Sequence, residues 1–196
     1  MKYLFLCFLM LPSLAFAHSG DIGVTGSFSS GFIHPFIGLD HFLAMFCIGA
    51  ISAQRGGTSV WAVPGLFIVF MMIGFILGYH DYNLPFFEPL IAFSVLLFAI
   101  IMKYPTWSKF NGVILVLVMF GVSHGYAHGV AVSALFDPQG FQKGFIIASV
   151  LIHIVGVVFG LVPKMQSNVA KTLYSYSPYL VAVAGIGFIF QSFSYV

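Results

Sequence analysis

A chain of 196 residues that is 60% hydrophobic and only 6% charged has too few polar side chains to cover a soluble domain, which usually carries about a quarter charged residues. The net charge is +2 and no basic stripe is present, so nucleic acid is not indicated as a partner. Both cysteines lie inside apolar segments, which argues against a disulfide framework. Repeated apolar segments of about 20 residues instead predict an all-α, polytopic helical bundle in contact with the lipid bilayer.

The N-terminal segment has the pattern of a cleaved signal peptide, residues 1–17. Lys2 supplies a short positive region, residues 3–14 form an apolar core too short to span a membrane, and Ala15-Phe16-Ala17 is typical of a signal peptidase site. An uncleaved first helix is the alternative. We expect residues 18–196 to form a single membrane domain.

Six candidate membrane-spanning helices follow the predicted cleavage site, separated by short polar loops. They cover about 33–53, 60–79, 86–102, 110–136, 142–162 and 177–194. Three of these helices carry small residues four positions apart, a spacing that lets helices approach closely in lipid. These are Gly74 and Gly78, then Gly121, Gly125 and Gly129, and finally Gly156 and Gly160.

Charged residues predict the orientation of these helices. The first, third and fifth loops hold five basic residues and no acid: Arg55, Lys103, Lys109, Lys164 and Lys171. The opposite side holds Asp21, Asp81, Glu88 and Asp137, with only Lys143 among the bases. Because basic loops stay in the cytoplasm, we expect a multi-pass protein of the bacterial inner membrane with both termini in the periplasm.

Polar residues inside these apolar segments are the candidates for function. An aspartate at mid-bilayer costs about 2.5–3.5 kcal/mol on insertion scales, so Asp40 needs a compensating environment. On a continuous first helix, Asp40 and His41 lie about 10 Å below the outer end. His34, seven residues before His41, occupies the same helix face at the entrance, and Asp40 points about 100° away.

The fourth helix carries His124 and His128, which share one face about 18 and 12 Å from its outer end. Glu88 begins the third helix on the outer side, and His153 lies about 17 Å inside the fifth. For His153, a hydrogen bond between helices and a metal-binding role both stay open. If the helices adjoin, these groups form one cluster.

Several imidazoles and carboxylates in a low-dielectric bundle indicate a site for a divalent transition metal, because imidazole binds nickel, copper, zinc and cobalt well. Asp40 then either binds the ion or orients a histidine that does. No phosphate-binding loop of the GxxxxGK(S/T) type is present, so we expect the chain to have no ATPase activity of its own.

The stretch HPFIGLDH, residues 34–41, resembles the HPxxGxDH signature of the HupE/UreJ family of nickel and cobalt permeases. Residues 40–57, 84–97, 123–129 and 144–156 resemble further stretches of that family in the same order. The resemblance implies import of Ni²⁺ or Co²⁺ across the inner membrane, with no permanently bound cofactor and no enzymatic activity. It places the metal site at His34, Asp40, His41, Glu88, His124 and His128.

One position departs from the family pattern. Family members usually continue the HGxAHG motif with x-Glu, whereas this chain has Val130-Ala131. The missing carboxylate bears on charge balance at the site and on the identity of the ion.

Three other functions fit parts of the sequence. An intramembrane zinc-dependent hydrolase would use three ligands and an activated water, with Asp40 or Glu88 as the base. A haem protein would use paired histidines from facing helices, and a purely structural membrane protein is disfavoured by the cost of Asp40. The oligomeric state, including a homo-oligomer, stays open.

Overall fold

The computed structural model describes residues 27–132 and 137–193, and the predicted signal peptide lies outside these ranges. The described residues contain helices and turns but no strand. The helices are α1 (Ser27–Ile37), α2 (Leu39–Arg55), α3 (Ser59–Tyr79), α4 (Phe87–Lys103), α5 (Pro105–Ser108), α6 (Gly112–Val132), α7 (Pro138–Gly160) and α8 (Asn168–Phe193), with a 3₁₀ turn at Val162–Lys164 between the last two. The all-α prediction is confirmed.

Several individual helices have the length and composition that a membrane-spanning segment needs. Within the described ranges, α3, α6, α7 and α8 are each long and apolar enough to cross a bilayer. The pair α1 and α2 passes the same test together but is bent by 77°, which makes it a fifth candidate. Helix α4 has 17 residues, at the short end of the range for a membrane helix.

The first predicted helix differs most from the structure. It begins earlier than expected, at Ser27, and it is not continuous, because the chain is extended at Gly38 with φ −71° and ψ 93°. The prediction that His34 and His41 share one helix face was therefore wrong. They belong to two helices that meet at a sharp bend.

Two other boundaries moved. The predicted fourth loop, residues 137–140, is the beginning of α7: the Asp137 side chain accepts a hydrogen bond from the Gly140 amide at 2.9 Å, and Pro138 occupies the first turn. The last helix begins at Asn168 rather than near residue 177, so part of the predicted fifth loop is helical.

The predicted glycine stripes form two close helix crossings. In the first, α3 packs along α6: a Cβ atom added at Gly74 or Gly78 would strike the backbone of α6, and one added at Gly125 or Gly129 would strike the backbone of α3. Only residues without a side chain permit this approach. The glycine stripes are therefore packing surfaces, as predicted.

The second close crossing joins α2 to α7. A Cβ at Gly49 would strike the His153 carbonyl oxygen, and one at Gly156 would strike the Phe46 carbonyl oxygen. Helix α1 also packs on α7, α4 packs between α2 and α8, and α6 is the most deeply buried of the four long helices. Large apolar side chains such as Trp61, Leu115 and Phe190 are exposed on the outside, as expected for a surface in contact with lipid.

Candidate metal centre

Four imidazole rings from three helices lie next to one another inside the bundle. His128 of α6 contacts His34 of α1 and His41 of α2, with ring centroids 4.8 and 4.5 Å apart. His41 also contacts His124, one turn along α6, at 5.1 Å. His41, His124 and His128 are buried, and His34 is half-buried. The structure thus brings together the four histidines that the sequence placed in the site.

The bend at Gly38 explains how histidines from α1 and α2 reach the same part of α6. Aromatic side chains of α7 complete the wall: the Phe141 ring lies 5.5 Å from His34, and the Phe145 ring lies 4.2 Å from His128. Both phenylalanines are fully buried. His34 and His128 therefore border hydrocarbon, in which an unpartnered polar atom is costly.

The same bend explains how the Asp40 carboxylate is stabilised inside the bundle. One carboxylate oxygen of Asp40 accepts two hydrogen bonds from His41, from the backbone amide and from Nδ1, both at 2.8 Å. Because Asp40 lies in the first turn of α2, its charge meets the positive end of a helix whose first amides lack helical partners. A broken helix thus provides the compensating environment that a carboxylate needs at this depth.

Hydrogen bonds to Nδ1 determine which ring nitrogen is left to bind a ligand. Nδ1 of His41 meets the Asp40 carboxylate, and Nδ1 of His124 lies 2.8 Å from the Phe120 carbonyl oxygen. Carboxylate and carbonyl oxygens only accept, so Nδ1 donates its hydrogen and Nε2 of the neutral ring keeps a lone pair. These two Nε2 atoms are buried and have no hydrogen-bond partner within the described residues.

Glu88 is the predicted site residue that the structure does not join to the imidazoles. It lies half-buried in the first turn of α4, and its side chain makes no hydrogen bond or ion pair with any described residue. Moreover, no three His, Cys, Asp or Glu side chains in the described ranges are close enough to hold one metal ion together. The geometry is a chain of neighbouring imidazoles rather than a closed three-ligand site.

A cleft of about 360 Å³ opens at the end of the bundle nearest His128. Asp137, Tyr79 and Gln142 are among the residues that line it. Gly129, the residue after His128, packs against the backbone of Tyr79, which lines the cleft. The wall of the cleft thus contains a carboxylate, Asp137, and a residue in backbone contact with the neighbour of His128.

Comparison with known proteins tests the family resemblance of the HPFIGLDH stretch. A family model described as "HupE / UreJ protein" matches residues 6–188. The chain belongs to the HupE/UreJ family. Protein HupE of Rhizobium leguminosarum bv. viciae is 32% identical over 177 residues, which cover 90% of this chain and 91% of that protein. No solved structure matches the chain.

Two residues next to the cluster in this HupE/UreJ protein were not part of the predicted site. His153 of α7 was left open, and Phe67 of α3 was not considered, yet the Phe67 ring lies 5.5 Å from His124 and 5.7 Å from His153. For His153 the signal was a polar residue in an apolar segment. For Phe67 no signal existed, because the chain contains 24 phenylalanines.

Proposed function

We propose that this HupE/UreJ protein transports a divalent transition-metal ion, Ni²⁺ or Co²⁺, across the bacterial inner membrane, with the clustered imidazoles as successive ligands. Mixed nitrogen and oxygen donors suit both ions, and thiolates, which favour softer ions, are not part of the cluster. The family resemblance of the HPFIGLDH and SHGYAHG stretches supports the same ions.

The observation that carries this proposal is the state of His41 and His124. Each ring has its Nδ1 held by an oxygen and its Nε2 buried without a partner among the described residues. A buried nitrogen without a partner costs about 1–3 kcal/mol, so a ligand that uses the lone pair is the simplest explanation. Histidines that bind metals usually have this arrangement, with the other ring nitrogen bonded to a carboxylate or backbone carbonyl.

The spacing of the rings suits an ion shared by two imidazoles at a time. With metal–nitrogen distances of about 2.1 Å, the ring centroids of two adjacent ligands lie about 4.5–5.2 Å apart. The three observed separations are 4.8, 4.5 and 5.1 Å. An ion held by two imidazoles keeps part of its water shell and can leave again, which transport requires.

The zinc hydrolase is the weaker alternative. A catalytic zinc site normally has three protein ligands and one open position. No such triple exists among the described residues, and Glu88, one of the two candidate bases, has no hydrogen bond to the cluster. Asp40 is the other candidate base, and one of its oxygens already accepts both hydrogen bonds from His41.

The bent pair α1 and α2 together with α4 complete a set of six transmembrane segments, with the cleft beside Asp137 facing the periplasm. The guanidinium of Arg55, at the end of α2, donates hydrogen bonds to the Ser108 and Phe110 carbonyl oxygens, so the first and third loops meet at one end of the bundle. That end also carries Lys103. Since basic loops stay in the cytoplasm, ions would reach the imidazoles from the opposite, acidic end.

Uptake of Ni²⁺ and Co²⁺ into proteoliposomes tests the proposal. His41→Ala and His124→Ala should each reduce the initial rate at least about 10-fold, because each change removes one ligand of a two-imidazole station. His80→Ala is the matched control, since His80 is an exposed histidine at the end of α3 and should leave uptake unchanged. Equal uptake by all four proteins would contradict the proposed function.

A further inference from the structure

His153 is a buried histidine that the proposed transport site does not yet use. Its side chain lies in α7 and is 2% exposed. Nδ1 lies 2.7 Å from the Ser149 carbonyl oxygen, one turn earlier in the same helix, so this ring makes no hydrogen bond between helices through Nδ1. Nε2 is buried and has no hydrogen-bond partner among the described residues. The His153 ring thus has the same arrangement as the rings of His41 and His124, with Nδ1 bonded to an oxygen and Nε2 without a partner among the described residues.

The helix crossing places His153 deeper in the bundle than His41. The His153 carbonyl oxygen packs against Gly49 of α2, eight residues beyond His41. At 1.5 Å per residue, this contact lies about 12 Å further along α2, toward the end that carries Arg55. The backbone of His153 therefore lies further from the acidic end than His41 does.

One phenylalanine ring contacts both His153 and the cluster. The Phe67 side chain is fully buried, and its ring lies 5.5 Å from the His124 ring and 5.7 Å from the His153 ring. A hydrocarbon ring thus packs against two imidazoles whose Nε2 atoms have no hydrogen-bond partner among the described residues. Apolar constrictions of this kind stop ions by excluding the water that would accompany them.

We propose that His153 is an inner ion-binding residue, that it receives the ion from His124, and that the Phe67 ring is the gate between them. This inference rests on the proposed function and adds the inward half of the path. In the described conformation the gate is closed, with the buried Phe67 ring packed against both imidazoles. Movement of this ring joins the two lone pairs into one two-imidazole station like those on the outer side.

His153→Leu separates this role from a structural one. Leucine removes the buried Nε2 that has no partner together with the Nδ1 hydrogen bond to Ser149, and these two effects offset one another, so the variant should fold about as well as the wild type. We expect it to bind Ni²⁺ in detergent with a dissociation constant within about threefold of the wild-type value, because the outer imidazoles are intact. Its uptake into proteoliposomes should fall at least about 10-fold. Wild-type uptake would overturn the inference.

His153→Cys keeps the inference testable should the leucine variant fail to fold. A thiolate binds metal ions but prefers softer ones, so this variant should transport and should raise the ratio of Cd²⁺ to Ni²⁺ uptake. A residue with only a structural role cannot change ion preference, and an unchanged ratio would overturn the inference.

Phe67→Ala tests the gate itself. Removing the ring should speed uptake or make it independent of the driving gradient, with Ni²⁺ binding in detergent preserved. Unchanged rates in this variant would overturn the gate.

His41→Ala distinguishes failure of this inference from failure of the proposed function. It should lose binding as well as uptake, whereas His153→Leu should lose uptake alone. If His41→Ala loses binding and uptake while His153→Leu transports normally, only the assignment of His153 as an inner ion-binding residue is wrong. If His41→Ala transports normally, the proposed function is wrong and the inner residue falls with it.

Discussion

Replacing Asp40 by asparagine should weaken ion binding without abolishing it. In the structure, one Asp40 oxygen accepts both the His41 amide and Nδ1 at 2.8 Å, so the carboxylate orients the ring that binds the ion. Asparagine has nearly the same shape and its carbonyl oxygen can still accept, but the charge is lost. A hydrogen bond to a charged group contributes about 1 kcal/mol more than a neutral one, so two such bonds amount to about 2 kcal/mol.

This energy corresponds to roughly a 30-fold change in affinity, within the range of about 10–100-fold found for partners of metal-binding histidines. The measurement is the Ni²⁺ concentration that gives half-maximal uptake in proteoliposomes, compared between wild type and Asp40→Asn. Asp81→Asn is the matched control: Asp81 is exposed and has a φ of 58°, a conformation that asparagine tolerates.

Two results would refute this reasoning. An unchanged half-maximal concentration would show that the carboxylate does not influence His41. A loss of uptake at saturating Ni²⁺ as large as that of His41→Ala would show that Asp40 itself binds the ion rather than orienting its neighbour.

The remaining predictions concern packing and topology. Gly125→Ala should lower the thermal unfolding midpoint in detergent, since overpacking costs about 1–3 kcal/mol, whereas Gly65→Ala, with no atom near its added Cβ, should leave it equal or higher. Gln54→Ala should also lower the midpoint, because the Gln54 amide links α2 to α4 and α8 through two hydrogen bonds worth about 1 kcal/mol each. Tyr174→Phe removes only one of these bonds, so it should lower the midpoint about half as much. A Lys109→Cys variant should react with a membrane-impermeant maleimide in inverted vesicles and not in spheroplasts; the reverse pattern would contradict the orientation.

The sequence was most informative where one physical rule acts along a helix. Close helix contacts in lipid require small residues at regular spacing, so the stripes that include Gly74 and Gly125 predicted the crossing surfaces correctly. The glycine stripes did not predict which helices pair with each other. Nothing in the glycine spacing says that α3 pairs with α6 or that Gly49 of α2 meets α7, because pairing depends on the whole bundle.

The break at Gly38 was missed because hydropathy does not register a change of direction. Residues 33–53 are apolar throughout apart from the site residues, and a continuous helix satisfies that pattern. The signal was present in a different form: a carboxylate at Asp40, directly after Gly38-Leu39, is stabilised at the beginning of a helix and not in its middle. An acidic residue that shortly follows a glycine in an apolar segment is therefore a candidate for the first turn of a new helix.

The histidine cluster was predicted from residue type and depth, and the structure brings all four rings together. Depth alone could not show that Glu88 has no hydrogen bond to the cluster or that Phe67 packs against His153 as well as His124, since Glu88 and His153 both lie at suitable levels. What separates them is rotation about the helix axis and the packing of neighbours such as Phe67, neither of which the sequence of a single chain specifies.

X-ray absorption at the nickel edge tests the central claim most directly, namely that imidazoles from separate helices share one ion. Purified protein with one equivalent of Ni²⁺ should show at least two imidazole nitrogens at about 2.1 Å, with oxygen atoms completing the shell. A variant that lacks both His41 and His128 should lose that imidazole signal. A spectrum with oxygen ligands alone, or one unchanged in the double variant, would contradict the account.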